Sequence, residues 1–166
     1  MAKKTMIVME TSKGTIELAL NGRDAPVTVE NFLRYVAESH YDGTVFHRVI
    51  GSFMIQGGGF TPDGVQKKTY EPIRLESQNG LLNKRGSIAM ARTNVPDSAT
   101  SQFFINVVDN RMLDYAPGND GYAVFGKVVS GMEVVDAIKA VDTTTKNGMD
   151  DWPVEDVVIE KVYVKG

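Results

Sequence analysis

The chain has 166 residues, about one domain on the usual scale of ~100–200 residues, so one domain over residues 1–166 is expected. Hydrophobic residues at 42% and charged residues at 23% exclude a disordered tail, a coiled coil and a collagen-like chain. Eighteen Lys and Arg against 21 Asp and Glu give a formal charge of −3, and there is no cysteine; nucleic acid and anionic membrane are not expected partners, and thiol nucleophiles, disulfides and thiolate metal sites are excluded.

The start, Met1-Ala2-Lys3-Lys4, is basic, but Glu10 closes the apolar run and no small-residue cleavage site follows, so no export signal is expected. No segment approaches the roughly 18 apolar residues that span a bilayer. A cytoplasmic location is the expectation, consistent with the missing cysteines.

Thr5–Thr11 and Thr15–Leu20 read as two strands joined by Ser12-Lys13-Gly14. Pro26 suits a first helical position, and Val29, Phe32, Leu33 and Val36 follow on one stripe, predicting a helix to about Glu38. Val45–Ile50 and Met54–Gln56 are strands. Phe60 to Arg85 is a long irregular excursion with one short strand around Ile73–Leu75. Ser87–Ala91, Gln102–Val108 and Tyr122–Val129 are further strands. Ser130 and Glu133 have capping-box spacing before a helix to about Ala140, and Val157–Val164 is a last strand. About eight strands with one early and one late helix predict an all-β fold: a closed eight-stranded antiparallel barrel capped by two α-helices.

Few residues offer familiar reaction chemistry. Gly121 to Lys127 has the spacing of a phosphate loop, but Val128 stands where Ser or Thr would hold magnesium, and the intervening residues are strand-like. His40 and His47 have no third ligand at metal-site spacing, and Ser101 has no nearby histidine; no metal and no cofactor are expected. His47 reads most simply as a structural histidine.

Arg48 is more informative. Simple alternation puts it on one face with Phe46 and Ile50 in a strand that is apolar on both sides. Taken alone, such an arginine reads as a salt-bridged structural residue. A two-residue turn at Gly51-Ser52 would set Arg48 opposite Ile55, whereas a three-residue loop Gly51–Phe53 would set it opposite Gln56; the second register is the expected one. Gln102 likewise begins an otherwise aromatic and aliphatic strand, Gln102-Phe103-Phe104-Ile105.

Phe46-His-Arg-Val-Ile50, Phe53-Met-Ile-Gln-Gly-Gly58, Ser101-Gln-Phe-Phe-Ile105 and Val124-Phe-Gly-Lys-Val128, in that order, resemble the cyclophilin-type peptidyl-prolyl cis–trans isomerases, with a bacterial character. The resemblance spans nearly the whole chain. It implies a catalytic Arg48 oriented by Gln56, a proline pocket of Phe53, Met54, Phe104, Leu113 and Tyr122, and peptide contacts from Ala91, Arg92 and Gln102. Met112 would belong to the same surface, in a position where many relatives carry tryptophan. Without that indole donor, catalysis is expected to persist and cyclosporin binding to weaken. Gly51-Ser52 replaces a common Pro-Gly and implies a looser rim, and Arg92 replaces a common asparagine.

The expected function is rotation of X–Pro bonds in peptides and client proteins by a monomer. The alternative is a proline-peptide binding or chaperone module without turnover. A carrier using the barrel interior is disfavoured, because side chains can fill eight strands.

Overall fold

A computed structural model describes residues 4–166; of the basic start Met1-Ala2-Lys3-Lys4, the first three residues lie outside them. The chain begins with the hairpin β1 (Lys4–Thr11) and β2 (Gly14–Asn21), followed by helix α1 (Pro26–Ala37). Next come β3 (Thr44–Ile50), β4 (Met54–Gly57), β5 (Ser87–Met90), β6 (Phe103–Asn106) and β7 (Val124–Ser130). Helix α2 (Met132–Lys139), the short strands β8 (Thr143–Lys146) and β9 (Met149–Pro153), and β10 (Val158–Val164) complete it. Eight strands close into a barrel in the order β1-β10-β3-β4-β6-β5-β7-β2, and every pairing is antiparallel. The expected barrel with two helices is the observed fold.

Alternation explains the packing. Ile16, Leu18 and Leu20 of β2, Ile88 and Met90 of β5, and Phe103 and Ile105 of β6 point into one buried cluster. The α1 stripe of Val29, Phe32, Tyr35 and Val36 and the α2 residues Val135 and Ile138 join the same cluster, so the helices complete the core rather than flank it. Phe32 stacks on Tyr41 at 5.0 Å and meets Phe103 edge-on at 5.9 Å. A smaller outer cluster of Met54, Ala89, Phe104 and Val124 lies apart from it, on the other side of the sheet.

Four local expectations are corrected. Phe46 and Arg48 do not share a face: the β3–β4 ladder pairs Phe46 with Gly57 and Arg48 with Gln56, two residues against one. This bulge at His47 reverses the alternation, leaving Phe46 fully buried and Arg48 exposed. The capping box at Ser130 and Glu133 does not form. Ser130 stays in the sheet opposite Glu17, and Gly131, with φ 88°, begins the helix without a side-chain cap. A Cβ at Gly131 would collide with the carbonyl of Thr15. Ile73–Leu75 forms only an isolated bridge, Ile73 to Ala99. The β8–β9 hairpin is additional; Asn147 (φ 54°) and Gly148 (φ 75°) form its turn, as the primed two-residue turn of a tight hairpin requires.

Candidate active site

The three-residue loop sets the register on which the site depends. Phe53 N–H donates to the Ile50 carbonyl at 2.9 Å, Ile50 pairs with Met54, and Arg48 therefore stands opposite Gln56. The rim at Phe53 is firmly held despite Gly51-Ser52, because its carbonyl accepts from Val107 N–H at 3.1 Å and from Asn110 Nδ2 at 2.9 Å.

Arg48 Nη1 donates to Gln56 Oε1 at 3.3 Å, and Gln56 Nε2 donates to Gln102 Oε1 at 2.9 Å. The first bond fixes which end of the amide faces the guanidinium, and the second holds the other end. Arg48 has no ion pair among the described residues, so the structural salt bridge that an arginine there would need in a buried strand is absent.

The guanidinium and Gln56 lie at a cleft of about 340 Å³. Its apolar lining is Phe53, Met54, Ala91, Phe104, Leu113 and Tyr122. Met54 and Phe104 are nearly inaccessible and belong to the outer apolar cluster, which gives the cleft a packed floor. Tyr122 meets Phe104 edge-on at 5.7 Å. Arg92 also lines the cleft, and its Nε and Nη2 donate to the Gly121 carbonyl at 3.1 and 2.7 Å. Its guanidinium lies 4.4 Å from the centre of the Tyr122 ring. The arginine that replaces a common asparagine thus holds the loop carrying a pocket wall.

Two of the expected residues, Gln102 and Met112, lie outside the lining of the cleft itself. Gln102 lines an adjoining depression of about 170 Å³ with Gln56, Ala91 and Arg92. Met112, on the 3-10 turn Arg111–Leu113, is 67% exposed and is not part of the cleft wall. Trp152 does not take its place, being fully buried with Nε1–H donating to Asp156 at 3.0 Å. The adjoining depression also brings in Gln66, Thr93, Ser98 and Thr100. In sequence those segments are polar connections, and polarity alone does not distinguish a groove wall from any solvated loop.

His47 occupies the bulge behind Arg48, with its ring 4.6 Å from Phe60 and 6.0 Å from Trp152. Burial lowers its pKa to about 4, and the adjacent Arg48 charge acts in the same direction. It is a structural histidine, as expected, held neutral at physiological pH.

A cation aimed by an amide, beside an apolar socket on the outer face of a closed barrel, is the arrangement that the four sequence motifs imply. The family described as cyclophilin type peptidyl-prolyl cis-trans isomerase/CLD matches residues 6–164. The chain belongs to this family. A peptidyl-prolyl cis-trans isomerase of Streptomyces antibioticus is 57% identical over 163 residues, covering 96% of this chain and 98% of the relative. Peptidyl-prolyl cis-trans isomerase B of Escherichia coli is 52% identical, covering 96% and 99%. A Cryptosporidium parvum cyclophilin, crystallised in the presence of the dipeptide Ala-Pro, superimposes with a TM-score of 0.84 at 26% identity over 97% of this chain and 99% of that one. The chain is therefore an isomerase of the cyclophilin type, and its nearly end-to-end match leaves the fold of its relatives intact.

Proposed function

We propose that this cyclophilin rotates X–Pro bonds by directing the Arg48 guanidinium at the proline nitrogen as amide conjugation is lost. Rotation faces a barrier of roughly 18–20 kcal/mol because the nitrogen lone pair is delocalised into the carbonyl. In the twisted transition state that pair is localised on nitrogen, where a fixed donor binds it better than it binds the planar ground state. Arginine stays protonated and presents a planar fork. A hundred-thousandfold acceleration corresponds to about 7 kcal/mol of such differential stabilisation.

The observation that carries this reading is the exposed Arg48, free of any ion pair among the described residues, with Gln56 as its side-chain partner at the mouth of an apolar cleft. Phe53, Met54, Phe104, Leu113 and Tyr122 would hold the proline ring while the preceding carbonyl turns. Ala91, Arg92 and Gln102 would flank the peptide. Burying one ring contributes about 1–2 kcal/mol, modest enough for either isomer to leave. No bond is made or broken, so the side chains present suffice for the step.

Client proteins with exposed X–Pro bonds are the proposed substrates, met by a monomer in the cytoplasm, with cyclosporin bound weakly. Exchange NMR on an X–Pro peptide tests the reading. Catalytic amounts of protein are expected to speed cis–trans exchange, whereas unchanged exchange with saturable peptide binding would favour a binding module.

A further inference from the structure

On the same outer face of the barrel, a second groove of about 390 Å³ has no part in the proposed catalysis. The small residues Ala19 of β2 and Ser87 of β5 flank Lys127 of β7 in the sheet register, and Gly126 and Val124 also line the groove. Leu81 and Leu82, from the excursion before β5, form an apolar wall, with Leu82 46% exposed.

The rim is cationic although the chain carries a net −3. Lys4, Lys84, Arg85 and Lys127 all line the groove. Arg85 is neutralised by Asp136 through two contacts of 2.8 Å. Lys4, Lys84 and Lys127 have no salt bridge among the described residues. Three uncompensated ammonium groups around an apolar floor select a ligand that is both acidic and apolar.

The groove and the catalytic cleft lie along β5 and the residue that follows it. Ser87 lines the groove, Ala89 belongs to the outer apolar cluster, and Ala91 lines the cleft. Four positions of extended chain cover roughly 13 Å at ~3.3 Å per residue, so a peptide of about four or five residues could bridge the two. Leu81 and Val124 make the surface between them continuous, since both line the groove and pack in the cluster that floors the cleft.

We propose that this groove is a secondary docking site for an acidic, leucine- or phenylalanine-containing segment of the client chain, a few residues from the proline being turned. The proposal rests on the isomerase reading for the position of the proline. Tethering through a second contact raises the effective concentration of the X–Pro bond at Arg48 without altering the rotation itself.

Two measurements separate the ideas. The first compares kcat/KM for X–Pro peptides bearing a Glu-Leu-Glu or a Gln-Leu-Gln extension four to six residues from the proline, on either side. For at least one side the acidic peptide is expected to be favoured at least fivefold at low salt, with the preference fading as salt screens the contacts. The double variant Lys84→Glu/Lys127→Glu should erase the preference yet turn over an unextended peptide normally. The second measures binding of a proline-free Glu-Leu-Glu peptide by amide shifts at Ser87 and Lys127, with at least tenfold weakening in the double variant.

Equal turnover of acidic and neutral peptides together with no binding of the proline-free peptide would overturn the docking site. Binding to phosphatidylserine vesicles without binding to the peptide would also overturn it, by assigning the groove to a membrane. Absence of turnover for every peptide would instead defeat the isomerase reading, while the proline-free peptide would still decide the groove.

Discussion

Gln56 and Gln102 are joined amide to amide, with Gln56 Nε2 donating to Gln102 Oε1 at 2.9 Å while the other end of the Gln56 amide accepts from Arg48. Gln102 is thereby proposed to position, through Gln56, a guanidinium to which it makes no hydrogen bond. A neutral hydrogen bond contributes about 1 kcal/mol, so Gln102→Ala should lower kcat roughly fivefold. The effect should be mostly absent in a Gln56→Ala background, because the two substitutions break one relay. Independent, additive losses would contradict the relay. Gly59 supports the same arrangement, since a Cβ there would lie 2.5 Å from Gln102 Cγ.

Arg92 ties down the Tyr122 wall through the Gly121 carbonyl and the face of the ring. If peptide met only the backbone here, its side chain would matter little. The observed anchoring leads to a different expectation: Arg92→Ala should raise KM several-fold and leave kcat within about twofold, because the socket loosens while Arg48 and Gln56 stay in place. Steady-state kinetics on a short X–Pro peptide checks this, and a selective loss of kcat would refute it.

His47 gives the fold a defined acid weakness. Its unfolded-state pKa is near 6.5, and in the folded protein burial lowers the value to about 4. The unfolded chain therefore binds the extra proton first. Stability is complete above about pH 6.5 and declines as pH falls towards 4, by about 3 kcal/mol in total. His40, lowered mainly by its own burial, adds to the trend. Urea unfolding followed through Trp152, the chain's one tryptophan, should show that His47→Leu flattens this decline. An equally steep decline in the variant would show that other groups cause it.

Met112 is exposed on its 3-10 turn, outside the cleft wall, and offers no hydrogen-bond donor to a ligand reaching across the rim. Cyclosporin is expected to inhibit weakly, and Met112→Trp to strengthen inhibition by about tenfold, the equivalent of one good contact near 1.4 kcal/mol, with turnover little changed. Inhibition unaltered by the added indole would count against this account.

The barrel was legible because hydrophobic alternation, turn residues and two helical stripes agree with one another, and the inward Ile16-Leu18-Leu20 row shows the same period in space. The cleft was legible through motifs and through the loop length that pairs Arg48 with Gln56. Strict alternation failed at His47, since a bulge inserts one residue without any glycine to mark it. The Ser130 cap failed because strand pairing with Glu17 outweighed a local hydrogen bond. The β8–β9 hairpin carried a readable Asn147-Gly148 turn, but its exposed threonine strand lacks the apolar alternation that would flag it. Contacts such as Arg92 with Gly121 are 29 positions apart, a separation spanned by the direct pairing of β5 with β7.

The role of Arg48 is tested most directly by exchange NMR on an X–Pro peptide with the wild-type protein, Arg48→Lys and Arg48→Ala, each checked for an unchanged fold. Removing a charge-assisted contact made in the transition state should cost about 3 kcal/mol or more, so Arg48→Ala is expected to lose at least a hundredfold in kcat/KM. Arg48→Lys should recover only part of it, because a point charge lacks the planar fork held by Gln56. Full activity in a correctly folded Arg48→Ala protein would contradict the account.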